Sequence, residues 1–175
     1  MRELTLRLAT KDDIPALCAV ISAAIGELLK PFLSPDQIEA SYAVMGLDTQ
    51  LIEDGTYFVV EQDGAIAGCG GWSRRATFFG GDHSAGRDAA LLNPSKDAAR
   101  VRAMYTHPAC VRRGVGRMIL NACERAATAE GFSRVELAAT AGGEPLYRAC
   151  GYIEVSRFQT GPNDLVPITV MIKAI

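Results

Sequence analysis

The sequence predicts one α/β (α+β) domain spanning residues 1–175, a mixed sheet of about seven strands with helices on both faces. Three observations predict it: the length, the order of the periodic segments, and a strand–turn–helix unit around residue 110. A chain of 175 residues encloses one full hydrophobic core and is short for two. With 49% hydrophobic and 22% charged residues, its composition is that of a folded domain. The segments run strand, helix, helix, three strands, helix, strand, helix, two strands, an order that places helices on both faces of a mixed sheet.

Leu4, Leu6 and Leu8 alternate with Thr5 and Arg7, the period of two of a first strand. Thr10 opens a helix, its side chain placed to cap free amides, with Asp12 and Asp13 near the positive end of the dipole. That helix is expected to run to about Gly26. Ser34-Pro35-Asp36-Gln37 starts a second helix with a serine cap, a proline in the first turn and a glutamine that closes a capping box; Ile38, Tyr42 and Met45 mark its apolar stripe. Tyr57 to Glu61 is the next strand. Gln62-Asp63-Gly64 is a hairpin turn, and Ala65 to about Arg75 returns antiparallel.

Residues 76–98 carry glycine, asparagine and proline without sustained period, so they read as a loop insertion of the kind that forms lids and binding loops. A short helix over Ala89 to Leu92 is the alternative. Arg100 to Thr106 is a strand stopped by His107-Pro108. After a glycine-rich turn, Val115, Ile119, Ala122, Cys123 and Ala126 recur at helical spacing until Gly131. Val135 to Ala138 is a strand and Glu144 to Cys150 a short helix. Gly151 to Phe158 and Val166 to Ile172 are the closing strands.

The formal charge of −2 gives no broad basic field, so neither nucleic acid nor a membrane is expected as a partner. Five scattered cysteines (Cys18, Cys69, Cys110, Cys123, Cys150) without a CxxC pair, beside only two histidines, argue against a metal site and against a disulfide framework. The charged start Met1-Arg2-Glu3-Leu4-Thr5 is unlike a signal peptide, and no run of roughly 18 apolar residues occurs. A cytoplasmic setting is the expectation.

Arg112-Arg113-Gly114-Val115-Gly116-Arg117 sits where the strand gives way to the long helix. Helix-terminal amides lack intrahelical acceptors, and the dipole is positive there, so an anion is stabilised. Glycines at 114 and 116 let backbone amides approach a phosphate, and three arginines add charge-assisted donors. The hexapeptide is neither a Walker A loop nor G-x-G-x-x-G.

With its surroundings, this segment resembles the core motif of the GNAT superfamily of N-acyltransferases, Gln/Arg-x-x-Gly-x-Gly/Ala. His107-Pro108, the turn, the helix and Leu146-Tyr147-Arg148-Ala149-Cys150-Gly151-Tyr152 follow that family's order and spacing, and the element order from Leu4 to Ile172 matches its fold. The resemblance implies a GNAT fold, with a twisted, mostly antiparallel sheet, and acetyl-CoA as cosubstrate without a metal. It implies acetyl transfer to a primary amine of a small molecule or protein; a homodimer is compatible with it. By position, it implies a bulged, splayed strand at Met104, Tyr105 and Thr106 whose backbone pairs with the pantetheine arm. The diphosphate falls to Arg112, Arg113, Gly114, Val115, Gly116 and Arg117. One departure is Val111, where the motif has glutamine or arginine; Arg112 or Arg113 would compensate.

Acetyl transfer from a thioester passes through an oxyanion and expels a thiolate. The match Leu-Tyr-x-x-x-Gly-Tyr assigns Tyr147 as the acid that protonates sulfur, since a phenol with a reference pKa of about 10 keeps its proton at neutral pH. A backbone N–H near Met104 to Thr106 is the expected oxyanion donor. An aliphatic amine must lose a proton first, at roughly 4–5 kcal/mol; Asp82, His83 and Glu144 are candidate bases. Trp72 with Arg74 or Arg75 either lines an acceptor pocket or marks a structural bulge in the Gly68-Cys69-Gly70-Gly71 run. Phe32 and Tyr42 are further candidates for the acceptor side. A non-catalytic acyl-CoA-binding module is the alternative function.

Overall fold

A computed structural model describes residues 3–175. Met1 and Arg2, which begin the charged N-terminal run, lie outside the described residues. The alternating leucines form β1 (Leu4–Leu8), and a 3₁₀ turn over Lys11–Asp13 leads into α1 (Ile14–Leu28). The expected stop at Gly26 is not one. A Cβ at Gly26 would lie 2.8 Å from the Tyr42 hydroxyl, so this glycine lets the second helix approach while α1 continues. That helix is α2 (Pro35–Val44), started by a complete capping box: Gln37 N donates to Ser34 Oγ at 3.2 Å and Ser34 N to Gln37 Oε1 at 2.9 Å.

A short helix absent from the sequence reading follows, α3 (Thr49–Glu53), with Asp48 accepting from Gln50 N at 3.0 Å. Five residues are too few for helical periodicity to register. Next come β2 (Tyr57–Gln62) and β3 (Ala65–Ser73), joined through Asp63 and Gly64 at φ 54° and 78°, the positive pair a two-residue hairpin demands. The rest of the chain forms β4 (Ala99–Thr106), α4 (Val115–Ala129), β5 (Arg134–Ala139), α5 (Glu144–Ala149), β6 (Ile153–Thr160) and β7 (Val166–Ala174).

The segment between β3 and β4 is neither helix nor open loop. Ala76 N donates to Ala90 O at 2.9 Å, Thr77 N to Asp88 O at 2.8 Å and Leu92 N to Arg74 O at 2.7 Å. Ala89 to Leu92 is therefore the return arm of an irregular ribbon that folds back on the domain.

The described strands form one sheet in the order β1-β2-β3-β4-β5-β7-β6, antiparallel except at β4–β5. Two departures from regularity place the site. First, β4 pairs with β5 only at Ala99↔Val135 and Arg100↔Glu136; beyond Arg100 the two strands part. Second, the β3–β4 register passes from Cys69↔Tyr105 to Gly71↔Arg102, so β4 carries an extra residue. Ala103 takes φ 50°, and its carbonyl accepts from the buried Tyr57 hydroxyl at 2.8 Å. An alanine in the left-handed region costs roughly 1–2 kcal/mol, and that hydrogen bond helps hold it.

α4 packs on one face of the sheet and α1 on the other. The glycine run of β3 is the seat of α4: a Cβ at Gly68 would collide with Val115 Cγ1, and one at Gly70 would stand 3.0 Å from Ile119 Cγ2. Val115, Ile119, Cys123 and Ala127 are thereby buried against Val60, Trp72, Val135 and Leu137. Leu17, Ile21 and Ile25 of α1 meet Tyr57, Val59 and Cys69 on the opposite face. Each fully buried aliphatic side chain of this kind contributes about 1.5–3 kcal/mol. The close seat fixes where α4 begins, at the mouth of the gap between β4 and β5.

Candidate active site

The parted strands open a cleft of ≈ 790 Å³. It runs from the start of α4, along β4, to the ends of α1 and α2 and the tip of the 76–98 ribbon.

At the α4 end, Arg112 and Gly114 both have positive φ (63° and 87°), a sharp turn that leaves the first amides of α4 without intrahelical acceptors. Gly114 caps the helix in the left-handed conformation, and a Cβ there would meet nothing within 4 Å. Its need is conformational. Gly116 has a different reason: a Cβ there would fall 2.7 Å from Leu146 Cδ2, so this glycine admits α5 against α4. Arg112, Gly114, Val115, Gly116 and Arg117 line the cleft, and the guanidinium groups of Arg112 and Arg117 have no ion-pair partner among the described residues. Arg113 is not among the lining residues; it donates to Gln62 Oε1 at 2.7 Å on the β2–β3 hairpin. Val111 lines the cleft with an apolar side chain.

Along the middle, Met104, Tyr105 and Thr106 present the edge of β4 that has no strand partner on the β5 side. Tyr105 is fixed from behind, its hydroxyl accepting from Gly46 N at 3.1 Å. Tyr147, 7% exposed, lines the same stretch from α5. Its ring stands edge-on to Tyr152 with centroids 5.9 Å apart, and its hydroxyl makes no hydrogen bond among the described residues. Burial pushes the Tyr147 phenol above its ordinary pKa, which keeps it protonated.

The three candidate bases are engaged elsewhere. Glu144 accepts from Arg148 at 2.6 Å, Arg157 at 2.8 Å and Thr169 Oγ1 at 3.3 Å. Arg148 above all holds its carboxyl below the usual range. Asp82 accepts from Thr49 N and Thr49 Oγ1 at 3.0 and 3.1 Å, and His83 Nε2 lies 2.9 Å from Tyr42 O. Asp82 and His83 pin the ribbon to α3 and α2.

Trp72 is core. It meets Phe132 edge-on at 6.1 Å beneath the Arg74 guanidinium, while Arg74 is paired with Glu130 and Arg75 with Asp54 at 2.7 Å. Trp72, Arg74 and Arg75 therefore do not line the cleft, and the glycines of this run serve close packing.

The far end of the cleft is formed by Phe32, Met45, Phe78 and Phe79, with Arg102 in its wall. Tyr42 is not among the lining residues; its hydroxyl donates to Ser22 O at 3.2 Å. Arg102 is 3% exposed and Asp48 1%. Arg102 Nη2 donates to Asp48 Oδ2 at 2.9 Å and to Gly80 O at 2.8 Å, and Arg87 Nη2 donates to Asp48 Oδ1 at 2.8 Å. Arg102 Nε is buried without a hydrogen-bond partner among the described residues. Burial lowers the Arg102 pKa, with Asp48 opposing that shift. The sequence reading missed this trio, although a charged residue inside an apolar strand, as Arg102 is between Val101 and Ala103, is the mark of a buried pair. Among the described residues no group of His, Cys, Asp and Glu is placed to hold a metal ion.

Residues 22–152 match the family model described as the acetyltransferase (GNAT) family. Among solved structures, the chain is similar to a GCN5-related N-acetyltransferase from Rhodopseudomonas palustris, at 20% identity over 100% of this chain and 98% of that one, with a TM-score of 0.73. It is also similar to the PaiA N-acetyltransferase from Thermoplasma acidophilum, solved in complex with coenzyme A (12% identity, 99% of each chain, TM-score 0.66). An N-acetyltransferase from Staphylococcus aureus Mu50 matches at 14% identity over 98% of each chain, TM-score 0.66. At these identities the likeness is one of fold. No curated protein matches the chain.

Proposed function

The chain belongs to the acetyltransferase (GNAT) family and is an acetyl-CoA-dependent acyltransferase; on that premise we propose that it transfers the acetyl group to a primary amine, with Tyr147 as the acid. The single observation that carries the proposal is the unbonded Tyr147 hydroxyl beside the open edge of β4.

In this reading the diphosphate lies against the α4 amides, with Arg112 and Arg117 neutralising its charge. Arg113 has a lesser part, since Gln62 holds it. Val111 contributes no polar contact, and Arg112 takes over that position's charge. The pantetheine arm adds to the free edge of β4 at Met104 to Thr106, where the splay leaves backbone groups available and the bulge at Ala103 turns them toward the reacting carbonyl. One of those amides stabilises the oxyanion. The collapsing intermediate expels the thiolate, and Tyr147 supplies its proton, a step worth about 10²–10⁴-fold. Five free cysteines fit a reducing, cytoplasmic setting. A non-catalytic acyl-CoA sensor would have no use for a free phenol at this place.

The test is steady-state thiol release from acetyl-CoA across a panel of amines. Turnover with at least one amine is expected. Tight coenzyme A binding, measured by calorimetry, with no turnover on any of them would overturn the proposal.

A further inference from the structure

The acceptor end of the cleft has three properties that bear on the kind of amine it takes. Among the described residues that line the cleft there is no aspartate, glutamate, histidine or lysine; the titratable groups facing it are Arg102, Arg112, Arg117, Tyr105 and Tyr147. Acids on the adjoining elements are engaged: Asp48 lies between two arginines, Glu144 is held by Arg148 and Arg157, Asp82 binds Thr49, and Glu27 pairs with Lys30. Second, among the described residues Arg102 is the charged group in the wall at this end, and its carboxylate partner Asp48 is shared with Arg87 away from the cleft, so a cationic acceptor meets a guanidinium and no counter-charge. Third, the remaining wall is aromatic and aliphatic. Phe79 meets Phe78 and Phe158 with centroids 6.3 and 5.7 Å away, and Phe78 already has the Arg100 guanidinium 4.9 Å from its ring centre. Arg100 thus already occupies one face of Phe78 for a cation–π contact, and its charge opposes a second cation on the same ring.

We propose that the acceptor is an apolar amine uncharged at neutral pH, of the arylamine class, and that the site selects against polyamines and lysine side chains. The inference rests on the acetyl-transfer reading above. Proton accounting supports it. A neutral primary amine forms the C–N bond as the C–S bond breaks, and one N–H proton ends on sulfur; nothing is left over. Tyr147 is sufficient for this, giving its proton to sulfur and regaining one from nitrogen. An ammonium brings one further proton that must leave before attack, and no side chain lining the cleft accepts it. At neutral pH only about one aliphatic amine in 10³ is already uncharged. Burying the cation against phenylalanines also removes its hydration without a counter-charge.

The experiment compares kcat/KM for 4-methylaniline, spermidine and a lysine-containing peptide between pH 6 and 9. The arylamine is expected to exceed both others by at least about 100-fold at pH 7, with a pH-independent kcat/KM. Preference for spermidine or the peptide, or a kcat/KM for the best acceptor that rises about tenfold per pH unit, would overturn the inference while leaving acetyl transfer intact. No turnover on any amine would overturn both. Phe32→Glu tests the charge argument directly, because this lining residue is 51% exposed and tolerates a polar side chain. It is expected to raise spermidine turnover relative to the arylamine about tenfold, and an unchanged ratio would remove the electrostatic basis of the selectivity.

Discussion

In the proposed assignment the α4 end of the cleft takes the donor and is made of backbone, while the end at Phe32, Phe78 and Phe79 takes the acceptor and is made of side chains. At the donor end, a left-handed glycine, the first amides of α4 and the free edge of β4 form the surface, and only Arg112 and Arg117 add charge. At the acceptor end, Phe32, Phe78, Phe79 and Arg102 converge from a loop, the ribbon and a strand that are far apart in the chain. Backbone recognition suits a cosubstrate shared by many enzymes, since it depends on the turn's shape more than on most side chains. Side-chain recognition lets the acceptor vary without disturbing that shape.

The sharpest break between the two ends is at Tyr147, which lies between them. Tyr147→Phe is expected to lower kcat about 10²–10⁴-fold while leaving coenzyme A affinity and folding stability unchanged, because the hydroxyl bonds to none of the described residues. Thiol-release kinetics and calorimetry check it together.

Next in size is the acceptor wall. Asp48→Asn keeps an acceptor for Gln50 N but leaves Arg102 buried without its carboxylate, and is expected to cost about 3–5 kcal/mol in denaturant unfolding. Replacing Arg102 by Met in the same chain should recover much of that loss, and coenzyme A affinity of the folded protein should not move.

Within the donor end, the two glycines separate by mechanism. Gly116→Val forces a carbon against Leu146 and is expected to cost about 1–3 kcal/mol, relieved in part by Leu146→Ala. Gly114→Ala carries a backbone cost of roughly 1–2 kcal/mol that Leu146→Ala does not touch. A double-mutant cycle distinguishes them. The smallest effects are electrostatic: Arg112→Ala and Arg117→Ala should each weaken coenzyme A binding about 2–5-fold at low salt, and Arg113→Ala less, since its guanidinium is held by Gln62. Equal effects at all three positions would show that Arg113 leaves Gln62 for the diphosphate.

Local signals were enough for the order of strands and long helices, the Ser34 capping box, the Asp63-Gly64 hairpin and the turn before α4. Each rests on interactions between residues a few positions apart, which periodicity and turn chemistry encode directly. Local reasoning misled at Gly26 and gave only half the account at Gly116. In both places the reason for a missing side chain is a neighbour distant in sequence, Tyr42 in one case and Leu146 in the other. It also could not separate the two readings of Trp72, because an aromatic beside arginines looks alike whether it faces a ligand or a core.

The sequence by itself determined the fold class and the turn that opens α4, since a strand, a turn and a helix start are contiguous in the chain. The tertiary structure decided which side chains are free. It engaged Asp82, His83 and Glu144, tied Arg113, Arg74 and Arg75 to partners, left the Tyr147 hydroxyl unbonded among the described residues, and brought Asp48 to Arg102 across 54 positions. Freedom and pairing are properties of distance in space, and no local pattern carries them.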